Sequence, residues 1–278
     1  YTIVMKSTII NLCPTGMVPT KGMTPHVPIT PKEIAASVAF CAELGASIAH
    51  IHPRDDEGKP TADPEVFKRV VSEIRTLNDN IIICATTSGR LWNTFDKRSA
   101  LLKLKGDYKP DMASLTLGSN NFSRTASVNP PQMIKDLALM MDDKGIKPEI
   151  EVFEPGMLHT AKHLMKNGYL NDETPYFNIL LNSPGTAPLD PSCFAAFHAL
   201  LPDNAIWSVA GIGYKQLYAN TLGIIFGHGV RVGLEDSIHD ISGNLVSNNV
   251  LVETVGNLIR KLGKRVASIE EVRGRLDI

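Results

Sequence analysis

The sequence lacks the features that mark membrane, nucleic-acid-binding and disulfide-rich proteins. Its formal net charge of −1 over 278 residues gives no electrostatic reason to expect nucleic acid or an anionic membrane as a partner. No apolar run reaches the length that spans a bilayer, and no signal-peptide pattern is present. The four cysteines lie far apart without CxxC spacing, which argues against a thiolate metal site and fits reduced thiols. We therefore expect a cytoplasmic protein.

A GxGxxG motif after the first apolar run is also missing, which counts against a dinucleotide-binding open sheet. The chain instead alternates β-branched apolar runs with amphipathic segments. Helix starts are clear where proline follows a capping residue, as in Thr30-Pro31 and Asp63-Pro64. The predicted strands cover residues 3–13, 46–52, 81–86, 112–117, 149–153, 177–182, 205–210 and 230–234.

Eight strands that alternate with eight helices indicate a parallel sheet, because each parallel pair needs a crossover. The near-equal units have neither a break nor a linker, which favours closure over a doubly wound open sheet. We predict an α/β fold, a single-domain (β/α)8 TIM barrel over residues 1–278. Residues 264–278 are expected to form an exterior carboxyl-terminal extension.

The segment ASIAHIHPRD, residues 46–55, places two histidines at the end of a predicted strand. Residues two apart on a strand point the same way, so His50 and His52 would stand side by side. Two neutral imidazoles of this kind form half of a divalent metal site. The alternative is a pair of histidines that face a polar strand end without metal.

Charged residues alternate with apolar ones on two other strands. Arg231 and Glu235 would face the barrel lumen from the eighth strand, and Glu149 and Glu151 from the fifth. A charge inside a barrel is costly unless it is paired or bound to metal. Glu235 would complete a His50/His52/Glu235 triad with an open position. Alternatively, Arg231, Glu149 and Glu151 form an ionic layer that fills the lumen.

The run Gly211-Ile212-Gly213 follows the seventh predicted strand and precedes a helix. Such a position would suit a phosphate at the helix amino terminus. A plain tight turn between strand and helix explains the same residues.

Several of these segments together resemble the β-keto acid cleavage enzymes, whose type member acts on 3-keto-5-aminohexanoate. The resemblance extends from about Ile9 to the end of the chain. It rests on the segments CPTGMVPTKGMTPHVPIT, AHIHPRDDEGKPTAD, ASLTLGSNNF, KPEIEVFEPG and GVRVGLEDSI. It implies a TIM barrel, commonly tetrameric, with a divalent metal that is usually Zn²⁺. It also implies cleavage of a β-keto acid with acetyl-CoA to give acetoacetate and a new acyl-CoA.

The resemblance also implies roles for residues at matching positions. His50, His52 and Glu235 would be the metal ligands. Asp236 would be the base, held and tuned by Arg231. Further active-site positions are matched by Ser88, Thr116 and Glu151.

One position departs from the type member, in which a glutamate after the first strand recognises the substrate's amino group. Met17 stands at the corresponding place here. Because methionine cannot pair with an ammonium, we expect a keto acid that is apolar, hydroxylated or otherwise differently substituted. Two other functions remain open: a metal-dependent barrel hydrolase independent of CoA, and a non-catalytic barrel that binds metal or acyl groups.

Overall fold

The computed structural model describes residues 7–123 and 125–278 of the chain. Eight parallel strands alternate with helices around one axis. The strands are β1 (Ser7–Leu12), β2 (Ile48–Ile51), β3 (Ile82–Ala85), β4 (Met112–Thr116), β5 (Lys147–Val152), β6 (Tyr176–Leu181), β7 (Ile206–Gly211) and β8 (Gly229–Val232). Each strand pairs with the next, and β8 pairs with β1 from Gly229 opposite Ile9 to Val232 opposite Leu12. This closure confirms the predicted TIM barrel and rules out the open sheet.

The helices lie around the strands or, in one case, across an end of the barrel. They are α1 (Pro31–Glu43), α2 (Pro64–Leu77), α3 (Phe95–Arg98), α4 (Pro131–Lys144), α5 (Pro155–Lys166), α6 (Pro191–Leu200), α7 (Gln216–Phe226), α8 (Asn248–Lys261) and α9 (Ile269–Leu276). Thr30 caps α1 in a capping box with Glu33, and Asp63 caps α2, as their sequences indicate. The outward side chains of the strands pack against the helices in one apolar core.

Several elements differ from the sequence prediction. The segment 3–13 begins among residues that the structure does not describe, and its described strand ends at Leu12. The single helix expected over residues 97–104 is divided into α3 and a 3₁₀ turn, Ala100–Lys103. A short hairpin of Asn120–Asn121 with Ala126–Ser127 follows β4 and was not predicted.

Strand β8 is shorter than expected, and the reason lies at Gly233. This glycine has φ of 152°, and a Cβ there would lie 2.2 Å from the carbonyl oxygen of Cys13. Only glycine tolerates this backbone approach, so the chain turns out of the strand after Val232. Glu235 therefore reaches the barrel mouth through a turn and not by strand alternation.

Residues 264–278, expected to lie outside the barrel, pack across its amino-terminal end. Arg265–Val266 forms a ninth strand beside Ser7 and Thr8 of β1. Val272 and Leu276 of α9 are fully buried against the lower lumen. The lumen residues that they cover include Ile9, Ile48, Ile82, Cys84, Met112 and Tyr176.

In the part of the chain that the structure describes, no helix is both long and apolar enough to cross a membrane.

Candidate active site

A cavity of about 360 Å³ opens at the carboxyl-terminal end of the strands. This is the end at which barrel enzymes place their active sites. Its lining includes every residue that the sequence predicted for the site: Met17, His50, His52, Ser88, Thr116, Glu151, Arg231, Glu235 and Asp236.

The two histidines and Glu235 converge on one point. The Nε2 atoms of His50 and His52 are 3.2 Å apart, and the Nε2 atom of His52 is 3.2 Å from Oε1 of Glu235. Gly16 makes room for this carboxylate, because a Cβ at Gly16 would lie 2.5 Å from the Cγ of Glu235. The backbone N–H of Glu235 also donates to the carbonyl of Cys13, which holds the turn against β1.

This donor set fits a divalent metal ion. Donors about 2.0–2.1 Å from a tetrahedral ion lie about 3.3 Å from one another, close to the two separations of 3.2 Å found here. The Oε2 atom of Glu235 is buried and has no hydrogen-bond partner among the described residues. A buried carboxylate oxygen without a partner is costly, and a bound cation would satisfy it.

Glu149 lies directly below and orients His50. Its carboxylate lies 2.5 Å from Nδ1 of His50 and accepts from Asn11 at 2.5 Å and Asn178 at 2.7 Å. Burial alone would raise the pKa of Glu149, but the charge and hydrogen bond of His50, the charge of Arg231 and the hydrogen bond from Asn11 lower it to about 2. A proton on Nδ1 of His50 leaves Nε2 as a lone-pair donor, the arrangement common behind metal-ligating histidines.

A second donor group, His50 with Cys84 and Glu149, lies deeper in the lumen. Burial and then the charge of Glu149 raise the pKa of the Cys84 thiol well above its ordinary value. A protonated thiol is a poor metal ligand. His50, His52 and Glu235 line the cavity, whereas Cys84 and Glu149 are not part of its lining, so the geometry favours the His50/His52/Glu235 group.

The guanidinium of Arg231 binds three carboxylates of the site. Its guanidinium donates to Asp236 at 2.9 and 3.2 Å, to Glu151 at 2.8 Å and to Glu235 at 2.8 Å. Arg231 is 1% exposed, and these three carboxylates compensate its burial. The ionic layer that stood as the alternative to the metal site is thus present in part, since Arg231 pairs with Glu151 while Glu149 pairs with His50.

Thr116 and Glu151 belong to this cluster, whereas Ser88 does not. The Thr116 hydroxyl donates to Oε2 of Glu151 at 2.7 Å. Burial raises the pKa of Glu151 despite the opposing charge of Arg231. Ser88 lines the cavity from the turn after β3, and its hydrogen bonds stay within that turn, to Thr86 and Arg90.

Hydrogen bonds from Arg54 fix the backbone of the loop that contains Met17. This guanidinium is 2% exposed and donates to the carbonyls of Gly16 at 2.6 Å and Pro19 at 3.0 Å. The Glu33 carboxylate holds the far side of the loop through Lys21 at 2.8 Å and the N–H of Ile29. Met17 is therefore presented to the cavity by a fixed backbone.

A family model described as "beta-keto acid cleavage enzyme" matches residues 7–278. The chain belongs to this family. It is 34% identical over 276 residues to a 3-keto-5-aminohexanoate cleavage enzyme of Fusobacterium nucleatum, with 99% of each chain covered. It is equally similar, 34% over 274 residues, to a 3-oxoadipate:acetyl-CoA acetyltransferase of Cupriavidus necator, covering 97% of this chain and 94% of that one.

Solved structures support the fold alone. ObcA, determined as a ternary complex with a C4-CoA adduct and oxalate, matches with a TM-score of 0.77. That match covers 91% of this chain and 68% of ObcA, at 18% identity. At this identity the likeness shows a shared barrel and nothing of the substrate.

In this member of the β-keto acid cleavage enzyme family, the cavity also contains Arg90 and Phe122, which the sequence patterns did not predict as site residues. Arg90 stacks on the ring of Phe122, with its guanidinium carbon 3.8 Å from the ring centroid. The position of Arg90 at a strand end could be inferred from the sequence, because Arg90 ends the polar turn after β3. The position of Phe122 could not be inferred, because the hairpin that positions it has only two residues in each strand.

In the run Gly211-Ile212-Gly213, Gly211 ends β7 and the next two residues begin a tight turn. The N–H of Ile212 donates to Leu181 at 2.8 Å, and the N–H of Gly213 donates to Asp236 at 2.7 Å. These donors are committed to the protein, so the structure favours the turn over the phosphate site.

Proposed function

We propose that the chain is a β-keto acid:acetyl-CoA acyltransferase that releases acetoacetate and a new acyl-CoA. The observation that supports this most strongly is the juxtaposition of His50, His52 and Glu235 with the Arg231–Asp236 pair at the base of the cavity. Two findings support the reaction class: the chain belongs to the β-keto acid cleavage enzyme family, and one relative is named as an acetyltransferase that uses acetyl-CoA.

In this reaction Asp236 removes a proton from C2 of the keto acid. The resulting carbanion attacks the acetyl carbonyl of acetyl-CoA and expels the CoA thiolate. The thiolate then adds to the C3 carbonyl, and the C2–C3 bond breaks. C3 leaves as the new acyl-CoA, while C2 takes back the proton from Asp236 and leaves with the acetyl group as acetoacetate.

His50, His52 and Glu235 would hold a divalent metal, which we propose to be Zn²⁺ because the donors are two imidazoles and a carboxylate. When bound, the metal would act as a Lewis acid on the substrate's carbonyl oxygens.

Arg231 is proposed to fix Asp236, because it donates to both of its carboxylate oxygens. A base must lie within hydrogen-bond reach of the proton that it removes, so this fixation matters for rate. We assign Thr116, Glu151 and Ser88 to the polar wall that positions the substrate. Met17 places a neutral side chain where an ammonium-recognising acid would stand, which supports a substrate without an amino group there.

We further propose a homotetramer in the cytoplasm. Helix α7 exposes Tyr218 near its start and Ile225 and Phe226 at its end, with 55%, 47% and 57% of their surfaces accessible. An apolar helix face of this kind is typical of subunit contacts. All four cysteines are free, which fits a reducing compartment.

The experiment mixes metal-replete protein with acetyl-CoA and a panel of β-keto acids, and detects acetoacetate and acyl-CoA by mass spectrometry. We expect both products only when both substrates are present, and loss of turnover after chelation that added Zn²⁺ restores. Turnover without CoA would favour the hydrolase. Absence of product across the panel, with metal confirmed bound, would contradict the proposal.

A further inference from the structure

The charges that line the cavity are unevenly paired. Three carboxylates, on Glu151, Glu235 and Asp236, all bind Arg231. Arg90 is a second arginine of the lining, and no carboxylate among the described residues hydrogen-bonds to its guanidinium. A guanidinium without an anion at a site of small-molecule binding is a candidate for ligand recognition.

Arg90 is held in place by its surroundings. Its turn is fixed by Thr87, which donates to the Ser114 carbonyl at 2.6 Å, and by Arg98, which donates to the Thr87 carbonyl at 2.8 Å. The Phe122 ring under the guanidinium is itself packed edge-on against Phe153, with ring centroids 5.2 Å apart. A stacked guanidinium keeps its in-plane N–H groups free to bind a carboxylate in bidentate fashion.

The electrostatic setting also favours an anion beside Arg90. Burial lowers the pKa of this guanidinium, and the carboxylates Glu235, Glu151 and Asp236 raise it only in part. Those carboxylates are already bound to Arg231, so they stabilise Arg90 only at a distance. A ligand carboxylate would supply the missing partner without breaking an existing ion pair.

We propose that Arg90 is a specificity-determining residue that recognises a second carboxylate, on the distal end of the β-keto acid. The inference rests on the proposed function, since it names the substrate class of the same site. Met17 adds no charge to the cavity, so a distal anion would meet no opposing acid from its loop. The substrate class is then a 3-oxo dicarboxylic acid.

The test compares 3-oxohexanedioate with 3-oxohexanoate, which has the same chain length but lacks the distal carboxylate. The wild-type protein is expected to show a kcat/KM for the diacid at least about tenfold above that for the monoacid. In Arg90→Gln, kcat/KM for the diacid should fall about 10²-fold, chiefly through KM, because a charged partner is lost. The monoacid should change by less than about threefold. Arg90→Lys should fall between, and the exposed Arg260→Gln of α8 is the matched control.

Calorimetric binding of each keto acid, without acetyl-CoA, separates this inference from the proposed function. Selective loss of diacid binding in Arg90→Gln supports the inference even if neither acid is turned over. Equal losses for both acids would assign Arg90 to the carboxylate that all β-keto acids share and overturn it. An increase confined to the KM for acetyl-CoA would assign Arg90 to a CoA phosphate, with the same consequence. A wild-type preference for the monoacid would also overturn it.

Discussion

At the amino-terminal end of the barrel the lumen is filled by apolar side chains that α9 covers, whereas at the carboxyl-terminal end it is filled by charges. The lower layer includes Ile9, Ile48 and Met112, which are fully buried. The upper layer contains Arg231 with three carboxylates and two histidines that face a cavity. Glu149 lies at the boundary and binds upward to His50.

The two layers have different roles: the apolar lower layer stabilises the fold, and the charged upper layer holds the groups proposed for chemistry. Apolar burial is non-directional and is the dominant favourable contribution to folding. Buried charges contribute little net stability but hold reactive groups in fixed positions. Substitutions in the lower layer should therefore lower the free energy of unfolding and leave the chemistry intact, whereas conservative substitutions in the upper layer should chiefly reduce turnover.

The largest effect is expected from Asp236→Asn, which keeps the shape of the side chain but removes the base. We expect kcat to fall by about 10³-fold, within the range that a general base contributes. The measurement is acetoacetate release under saturating substrates. The exposed Asp203→Asn serves as the control, and metal content and melting temperature verify the fold. A loss of less than tenfold would remove Asp236 from the role of base.

Leu276→Ala in α9 is expected to lower the stability of the protein and to leave its activity unchanged. Leu276 is fully buried in the lower layer, so truncation should lower the free energy of unfolding by about 2–5 kcal/mol. Leu77→Ala removes the same atoms from a side chain that is 58% exposed and should cost much less. Urea unfolding measures both, with activity per folded molecule unchanged. Equal effects for the two variants would show that α9 does not close the barrel.

Glu149→Gln tests the boundary between the two layers. The variant keeps the shape but weakens the carboxylate that orients His50, and we expect metal affinity to fall about 10–100-fold. Competition with a chromophoric chelator measures the affinity, and Glu253→Gln on the exposed face of α8 is the control. Unchanged affinity would indicate that His50 is oriented without Glu149.

Much of the barrel and its site was predictable because strand ends are local signals. Proline at the first helical turn marked α1, α2 and α6, and the two-residue spacing of His50 and His52 placed both imidazoles together. The inward direction of Glu149 and Glu151 followed from alternation along β5. Each of these inferences needs only a few neighbouring residues.

The remaining features depend on contacts between distant segments. Val272 and Leu276 are buried because they pack against apolar residues at the amino-terminal end of the barrel lumen. The charged sequence of residues 264–278 does not indicate this contact. The roles of Glu149 and Arg90 depend on partners from other elements, His50 and Phe122. The path of Glu235 depends on the approach of Gly233 to Cys13, a contact between β1 and the turn after β8.

The pairing of β1 with the last elements of the chain has a consequence for biosynthesis. β1 is made first among the barrel strands, yet two of its neighbours, β8 and the strand Arg265–Val266, are made last. Until they leave the ribosome, β1 exposes an unpaired apolar edge of the kind that joins other chains. We expect nascent chains that end before residue 229 to bind a chaperone, and released chains that contain residues 229–266 not to bind it.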